Sequence, residues 1–457
     1  MNLNYTNDEL RDAVLEICHE VQRAGGQACA VGGCVRDTAL GLPVKDIDME
    51  VYHLPAHDLA ELLGKRFAMD LVGQSFGVFK VHHFPIDIAL PRREAKAGTG
   101  HRGFDIHSDP SMPREEAAAR RDFTINAIAL DPLTGELFDP FHGLDDLERR
   151  LLRHTTSRFS EDPLRVLRGM QFAARFEMNV APETIELCRT IEPEGLPPER
   201  IFDEWKKLIL LGRRPSLGLA FLRDCGWIKY YPELQALIQC PQNPKWHPEG
   251  DVWNHTLLAL DAFAAHRIGN PSEDLIVGLA VLCHDFGKPA TTQTEEDGRI
   301  RSLAHARAAE EPTRSFLLRM TSQSALIDDV VTLAVHHMRP HELHQADASD
   351  SAVRRLATEV KRIDRLIRVD LADRAGRSLD GTPDPACANW LMEKARRLEV
   401  AENAPKPIVM GRHLQHLGLT PGPAFGPLLK ACYEAQLEGR FTDESGGIAY
   451  LETLTKK

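Results

Sequence analysis

The sequence predicts an α+β domain followed by domains built only from helices. Up to about residue 148, short apolar strands alternate with short helices, and Gly and Pro mark the turns between them. From Arg149 onward, apolar residues recur mainly at helical spacing. A chain of 457 residues is too long to fold around a single hydrophobic core. We expect domains at 1–148, 149–240, 245–378 and 385–457.

The predicted elements of the first domain follow in order. Apolar residues at helical spacing between residues 10 and 21 predict an opening helix, which Gly25 ends. The segment QACAV predicts a buried strand, VRDTALG a short helix and DIDMEVY a second strand. AHDLAELLGKRF then predicts a helix, and VFKVHHF and PIDIAL predict two strands separated by Pro85.

The charge balance disfavours a protein that coats nucleic acid. The chain has 55 Lys and Arg against 67 Asp and Glu, a formal net charge of −12. Residues 149–175 nevertheless hold seven arginines against Glu161 and Asp162. This local excess suits contact with a phosphate backbone, although a solvated helix face would have the same composition.

Three features predict a cytoplasmic protein without a membrane partner. The sequence has no run of 18 apolar residues, and its polar start, MNLNYTNDELRD, lacks the pattern of a signal peptide. The nine cysteines include no CxxC pair. This usage indicates a reducing compartment and argues against a disulfide framework or a zinc ribbon.

Two aspartates on the second predicted strand suggest a magnesium site. Asp46 and Asp48 are one residue apart, so they face the same side of a strand, while Ile47 and Met49 face the core. Paired carboxylates suit Mg²⁺, which takes oxygen ligands and shares them with substrate phosphates. Asp87, within PIDIAL, is a third candidate catalytic carboxylate.

The residues before this strand suggest a triphosphate site. Gly32 and Gly33 allow the backbone to approach an anion closely, Arg36 adds a positive charge, and Asp37 follows it in a fixed Arg-Asp pair. A lone DxD is usually an ordinary surface strand. The combination of GG, RD and DxD is much rarer and favours catalysis.

This order resembles the nucleotidyltransferase superfamily of DNA polymerase β. More narrowly, it resembles the bacterial class II tRNA nucleotidyltransferases, or CCA-adding enzymes, of the poly(A) polymerase family. Four further segments support the resemblance: RRDFTINAIAL at 120–130, DPFHGLDDL at 139–147, EDPLRVLRGMQFAARF at 161–176, and GRHLQHLGLTPGPAFG. The resemblance implies an α+β head, a helical neck and a tail that holds tRNA. It implies contacts to triphosphate and ribose from Arg121 and Asp122, with Asn126 bracing their turn.

The neck segment suggests how bases are selected. Asp162, Arg165 and Arg168 are spaced at three and should share a helix face, with Pro163 in the first turn. An ionised Asp only accepts hydrogen bonds and Arg only donates. Cytosine and adenine both match this pair, whereas uracil and guanine would leave polar groups unpaired at about 1–3 kcal/mol each.

The resemblance implies that Asp162 and Arg165 carry out this selection with Arg168 at the nucleotide, so no nucleic-acid template is needed. The alternative is a salt-bridged helix surface, because Glu161 and Arg165 form an i,i+4 pair. The implied reaction is attack of a tRNA 3′-hydroxyl on the α-phosphorus of CTP or ATP, with Mg²⁺ on Asp46 and Asp48.

A histidine-rich block resembles the HD phosphohydrolase superfamily. The segments HPEGDVWNHT, LCHDFGKP, AHA, VHHMRP and LADRAG occur in that order. The resemblance implies a divalent metal (Mn, Ni, Fe or Mg) and phosphatase or 2′,3′-cyclic phosphodiesterase activity. Its implied ligands are His255, His284, Asp285 and Asp373, with a second position open to His305 and to His337 or His336. Where relatives often have GHE, this chain has AHA at 304–306.

Three alternatives remain open at this point. Poly(A) polymerases typically have two basic residues where this chain has Gln74-Ser75, which favours tRNA-end synthesis. The segment 93–119, interpreted as a long mobile loop, permits addition of A but does not separate full CCA from A-only synthesis. An HD phosphohydrolase or regulatory protein with an inactive head is disfavoured by the retention of Asp46 and Asp48.

Overall fold

The computed structural model describes residues 1–72, 78–96, 104–377 and 383–456. Two compact units make up the chain, Met1–Trp227 and Ile228–Lys457. The first unit contains the predicted α+β head together with residues 149–227 of the predicted neck. The four boundaries proposed from the sequence stay predictions.

A seven-stranded mixed sheet forms the head, in the order β3–β4–β5–β2–β1–β8–β9. Its strands are β1 (Gln27–Val31), β2 (Ile47–Tyr52), β3 (Met69–Val72), β4 (Val78–Val81), β5 (Ile86–Ala89), β8 (Ala129–Leu130) and β9 (Leu137–Phe138). The helices of the head are α1 (Asp8–Arg23), α2 (Gly33–Ala39), α3 (Ala56–Gly64), α4 (Arg114–Ala118) and α5 (Gly143–Glu148). The fold class and the strands predicted up to residue 90 are confirmed.

The segment interpreted as a long loop contains regular structure. Strands β6 (Arg92–Lys96) and β7 (Phe104–Ser108) pair antiparallel, with Arg92 opposite Ser108, and α4 follows them. The interpretation of a continuous loop was therefore wrong. The sequence RREAK is short and rich in charged residues, so its strand preference is weak, and its pairing with FDIHS decides its structure. Residues 97–103 and the pair Gln74-Ser75 lie outside the described residues.

The neck is helical, as predicted. Its helices are α6 (Leu164–Phe176), α7 (Pro182–Arg189), α8 (Pro198–Leu211) and α9 (Pro215–Asp224), and α6 packs against α8 and α9. A short parallel pair, β10 (Leu151–Leu152) with β11 (Asn179–Val180), precedes this packing. Asp162 has an extended backbone and lies before α6, so the expectation that it shares a face of this helix with Arg165 was wrong. The Pro163 ring clashes with a helical backbone at the preceding residue, which keeps Asp162 extended.

The second unit is mostly helical. Its helices are α10 (Pro232–Gln235), α11 (Val252–Ala265), α12 (Pro271–Cys283), α13 (Lys288–Thr291), α14 (His305–Ala308), α15 (Glu310–Leu318), α16 (Ser324–His336), α17 (Arg339–Gln345), α18 (Asp350–Val360), α19 (Ile363–Arg377), α20 (Ala386–Arg397), α21 (Gly411–His416), α22 (Phe425–Leu437) and α23 (Glu444–Thr455). An unpredicted hairpin, β12 (Thr292–Thr294) with β13 (Ile300–Ser302), interrupts them.

Helices α11, α12 and α19 pack together and form the centre of the histidine-rich block. Among the described residues, no helix has the length and apolar character needed to cross a membrane. All nine cysteines are buried free thiols.

Candidate nucleotide site and metal centre

Three carboxylates meet on one face of the head sheet. Strands β2 and β5 are parallel neighbours, and their register places Asp48 directly beside Asp87. Asp46 lies one residue before β2, and it shares with Asp48 the side of the strand opposite the buried Ile47 and Met49. The alternation predicted for this strand is confirmed. Lys80 on β4 donates to Asp87 Oδ2 at 2.6 Å.

The surroundings of Asp48 favour a bound cation. Partial burial raises the pKa of the Asp48 carboxyl group, and the charges of Asp87 and Asp46 raise it further, against the lowering effect of Arg121. Three neighbouring acids that repel one another are stabilised by a divalent cation between them. These oxygen donors therefore fit Mg²⁺.

A cavity of about 480 Å³ in the first unit unites the predicted nucleotide residues. The described residues that line it include Gly32, Gly33, Arg36, Asp48, Arg120, Arg121, Asp122, Asn126, Asp162, Arg165, Arg168, Gln171, Phe172, Arg175, Arg200 and Lys207. Segments from the head and the neck thus form one site that contains eight basic side chains among the described residues. Arg120, Arg175, Arg200 and Lys207 were not singled out from the sequence.

Gly32 has a conformation that favours glycine. Its φ is 72°, and a Cβ atom added there would lie 2.8 Å from Arg121 Nη1. The Arg121 side chain reaches the glycine pair because this position lacks a side chain. Gly32 and Arg121 therefore form a joint wall of the cavity, as expected for a triphosphate site.

A buried hydrogen-bond network fixes the floor of the cavity. Asn126 accepts from Arg36 Nη1 at 2.6 Å and donates to Asp122 Oδ1 at 2.9 Å, so it braces this turn as expected. Arg168 Nε of α6 donates to Asp122 Oδ2 at 2.6 Å. Burial acts to raise the pKa of Asp122, but the Arg168 charge and these hydrogen bonds lower it overall. The neck helix is thereby tied to the head through Asp122.

Arg36 and Asp37 make contacts within the protein that the sequence analysis did not predict. The Arg36 guanidinium is buried, donates to Asp37 Oδ1 at 2.9 and 2.7 Å, and lies 4.4 Å from the centre of the Phe176 ring. It therefore joins β1–α2 to the neck as well as lining the cavity. Asp37 holds the Arg36 guanidinium in place and is not among the described residues that line the cavity.

The predicted base-selecting residues lie in the same cavity. The Asp162 Oδ1 atom accepts from the Leu164 backbone N–H at 3.0 Å, which orients its carboxylate at the start of α6. Arg165 donates to the carbonyl oxygens of Arg158 and Arg120 at 2.8 and 2.7 Å. These bonds hold the guanidinium plane, and the cavity that they border also contains Asp48.

A neighbouring cavity of about 360 Å³ lies on the Asp87 side of the sheet. It shares Asp48, Arg121 and Arg165 with the first cavity. Glu50, which the sequence analysis did not single out, also lines it. Tyr52 Oη donates to Glu50 Oε2 at 2.6 Å, and Arg121 Nη2 lies 3.6 Å from the same oxygen. The alternation that identified Asp46 and Asp48 also places Glu50 on their face.

In the second unit, the predicted HD residues form a buried cluster. His255 Nε2 lies 2.9 Å from Asp373 Oδ1 and 3.3 Å from His284 Nε2. Asp285 Oδ2 is 3.2 Å from His284 Nε2. His255 comes from α11, Asp373 from α19, and His284 and Asp285 directly follow α12, so helix packing brings these residues together.

A second group adjoins the first through Asp285. His305 Nε2 and His337 Nε2 are 3.3 Å apart and lie 3.6 and 4.0 Å from Asp285 Oδ1. His336 instead contacts Glu359, with 3.3 Å between Nε2 and Oε2. Of the two histidines that the sequence left open, the structure places His337 in the group. The AHA segment at 304–306 differs from the GHE of relatives on both sides of the histidine but keeps the histidine itself, His305.

The donor atoms of this cluster fit a divalent metal. The Nδ1 atoms of His284, His305 and His337 each lie 2.7–2.8 Å from a backbone carbonyl oxygen, which leaves their Nε2 atoms as the metal-facing donors. Both Asp285 oxygens are buried: Oδ2 lies 2.8 Å from Lys288 Nζ, whereas Oδ1 has no hydrogen-bond partner among the described residues. Burial acts to raise the pKa of Asp285, but His284 and Lys288 hold it well below its usual value.

Several contributors to this centre were not predicted from the sequence. Glu249 accepts from His255, Lys288 contacts Asp285, and Arg377 donates to Asp373 at 2.6 Å. These three residues contact the predicted ligands but do not belong to the motif by which the ligands were identified. Glu249 lies in the HPEG stretch a few residues before His255, and that stretch was the only hint of it in the sequence. Its contact with His255 depends on how the loop before α11 folds back onto that helix.

Comparisons with known families agree with this architecture. Residues 28–153 match the family described as "Poly A polymerase head domain", and residues 177–238 match "Probable RNA and SrmB- binding site of polymerase A". Residues 252–376 match the HD domain family. The solved Bacillus stearothermophilus CCA-adding enzyme, in complex with CTP, has a TM-score of 0.67 and 21% identity over 98% of each chain. At that identity the likeness shows the fold alone.

Curated relatives have higher identity. A multifunctional CCA protein of Methylobacillus flagellatus is 39% identical over 325 residues, which cover 70% of this chain and 75% of that protein. A multifunctional CCA protein of Tolumonas auensis is 43% identical over 273 residues, covering 58% of this chain and 64% of that protein. The family resemblance found in the sequence motifs is confirmed. The chain belongs to the multifunctional CCA protein family, whose head is of the poly(A) polymerase type.

Proposed function

We propose that this protein adds CCA to the 3′ end of tRNA, using CTP and ATP and releasing pyrophosphate. One observation carries the proposal: a single cavity contains the catalytic carboxylate Asp48, the glycine pair and the Asp162–Arg165 pair. A nucleotide held there would have its triphosphate at one end and its base at the other. Membership of the multifunctional CCA protein family supports the same reaction. We place this activity in the cytoplasm.

The head residues position the triphosphate and the reacting hydroxyl. The Gly32–Gly33 backbone and Arg121 form the anion wall, and Asp122 borders the ribose position. Asp46 and Asp48 would hold Mg²⁺, which when bound neutralises charge on the reacting phosphate oxygens. Asp87 lies beside Asp48 and lines the cavity of about 360 Å³, and it would accept the proton of the tRNA 3′-hydroxyl.

The neck residues select the base. Asp162 offers acceptors and Arg165 offers donors, and both are oriented by bonds to backbone groups. Cytosine and adenine present the complementary order of amino donor and ring acceptor. Uracil or guanine would leave desolvated groups unpaired, at about 1–3 kcal/mol each. Arg168, fixed by Asp122, closes the same wall of the cavity.

The tRNA would be held by basic groups of the neck and by the tail. The arginine excess at 149–175 continues into a cavity wall that contains Arg165, Arg168 and Arg175. The tail motif spans α21 and the start of α22, which share a small apolar core with α23. We assign that motif to tRNA binding because of the family resemblance.

A direct experiment tests the nucleotide products. The purified protein is incubated with tRNA that ends at the discriminator base, with CTP and ATP supplied separately and together. CCA addition gives two added residues with CTP alone and three with both nucleotides. Extension only of tRNA that already ends in CC identifies an A-adding enzyme, and long ATP-only tails identify a poly(A) polymerase. No extension under any condition favours a protein with an inactive head.

A second activity is favoured by the buried histidine–aspartate cluster. We propose that His255, His284, Asp285 and Asp373 hold a divalent metal, with His305 and His337 as a second position, and that this centre hydrolyses a phosphoester of an RNA end. A cavity of about 470 Å³ lined by Lys288, Arg374 and Arg377 adjoins His305 and suits an anionic ester. Mn, Ni, Fe or Mg would supply an activated water when bound.

The hydrolytic activity is tested with a 2′,3′-cyclic nucleotide. Hydrolysis should depend on added divalent metal, disappear with a chelator and be lost in Asp285→Asn. Activity that persists in the chelator or in this variant would assign the hydrolysis to another site.

A further inference from the structure

One buried carboxylate beside the HD cluster has no role in the proposed ligand set. The Glu249 side chain is only 2% exposed, and its Oε1 atom lies 2.8 Å from both His255 Nδ1 and His247 Nδ1. Its Oε2 atom is buried without a hydrogen-bond partner in the described structure. Burying a carboxylate is costly, and hydrogen bonds from the imidazoles offset that cost.

The two imidazoles that share Glu249 have different surroundings. His255 is fully buried, and its other ring nitrogen, Nε2, faces Asp373 at 2.9 Å and His284 at 3.3 Å. His247 is partly exposed and lines the cavity that also contains Lys288 and His305. One carboxylate oxygen therefore contacts a candidate metal ligand and a residue of the adjoining cavity wall.

His247, Glu249 and His255 are also close enough to be considered as a metal site of their own. In that arrangement His255 would have to bind one metal through Nδ1 and another through Nε2. Bridging of this kind requires loss of both ring protons, which gives an imidazolate anion. A hydrogen-bonded arrangement needs only a neutral ring with its proton on Nδ1, because an ionised carboxylate accepts and does not donate.

We propose that Glu249 is a positioning residue of the HD centre. By accepting from Nδ1 it fixes His255 in the tautomer whose Nε2 lone pair faces Asp373 and His284. By accepting from His247 with the same oxygen, it holds that ring in the cavity wall. The inference rests on the proposed metal centre and adds a residue outside its ligand set. Carboxylates that orient a ligating histidine typically strengthen metal binding 10–100-fold.

The test measures metal binding rather than activity. Ni²⁺ is titrated by calorimetry into the full chain carrying Asp48→Asn, so that the head does not contribute, and into the same chain with Glu249→Gln, His247→Ala or Glu342→Gln. Glu342 is an exposed partner of Arg339 in the same unit and provides a matched control for the loss of a carboxylate. Circular dichroism melting checks that each variant is folded.

We expect Glu249→Gln to weaken Ni²⁺ binding about 10–100-fold, with His247→Ala and Glu342→Gln unchanged in affinity and in the number of bound ions. A folded Glu249→Gln with wild-type affinity would overturn the positioning role. Loss of one bound ion in both Glu249→Gln and His247→Ala would instead identify the triplet as a metal site. If the parent chain bound no Ni²⁺ at all, the metal centre itself, and with it this inference, would be wrong.

Discussion

At the scale of single residues, Asp48 has surroundings that suit catalysis better than stability. Its carboxylate lies beside Asp87 and near Asp46, and its pKa is raised. Removing the charge should relieve repulsion in the metal-free protein. We expect Asp48→Asn to melt at the same or a slightly higher temperature, with nucleotide transfer reduced on the order of 10³-fold. Asp58→Asn, at an exposed site on α3, is the matched control, and a transfer rate in Asp48→Asn equal to that of this control would contradict the assignment.

The Asp122–Arg168 pair gives a pH-dependent prediction at the same scale. The folded pKa of Asp122 is lowered, so the pair stabilises the protein above the ordinary value near 3.8 and loses its effect as pH falls through the folded pKa. Arg168→Met should reduce the free energy of unfolding by about 2–4 kcal/mol at pH 7, because a buried carboxylate loses its partner. Urea titrations should show that this difference shrinks in acid as Asp122 becomes protonated in the variant. A difference independent of pH would mean that lost packing, not charge, causes it.

Residue roles could be predicted from the sequence where they follow from backbone periodicity. The alternation along DIDMEVY gave the common face of Asp46 and Asp48 because strand geometry fixes it. Spacing did not reveal that Asp162 precedes the helix, since Pro163 changes the backbone there. The partnership of Glu249 with His247 and His255 depends on a loop contact that no local pattern encodes.

At the scale of elements, the start of α5 packs so closely against the turn at Thr124–Asn126 that only glycine fits at position 143. A Cβ atom there would lie 2.2 Å from the Thr124 carbonyl oxygen, in the turn that carries Asn126. Gly143→Ala should therefore displace that turn, destabilise the first unit by at least about 2 kcal/mol and weaken nucleotide binding. Gly64→Ala in α3 has no atom within 4 Å of the added methyl group and should be neutral or stabilising. Equal melting temperatures for the two variants would contradict this packing argument.

Elements with strong periodicity were predictable, and those formed by pairing were not. Helix α1 and strands β1, β2, β4 and β5 follow from regular apolar spacing. The hairpins β6–β7 and β12–β13 have strands of only five and three residues with few apolar positions, so their structure depends on pairing with the partner strand. Sequence periodicity therefore located the sheet that carries the nucleotide site but missed a two-stranded hairpin in each unit.

At the scale of the whole molecule, the two proposed activities reside in separate compact units. Asp48 belongs to the first unit and Asp285 to the second, so each point change should abolish one activity and spare the other. We expect Asp48→Asn to retain cyclic phosphodiesterase activity and Asp285→Asn to retain CCA addition, both within about twofold. Parallel assays on folded variants measure this. Loss of both activities from either change would show that the two sites depend on each other.

The central claim is that Asp162 and Arg165 select the base in place of a template. The measurement is the ratio of kcat/KM for CTP to that for UTP on tRNA that ends at the discriminator base, in the wild type and in Asp162→Ala. We predict a strong wild-type preference for CTP that falls by about 10–100-fold in the variant, matching the loss of about 1–3 kcal/mol of discrimination. An Asp162→Ala protein that still transfers to tRNA with the wild-type ratio would contradict the account.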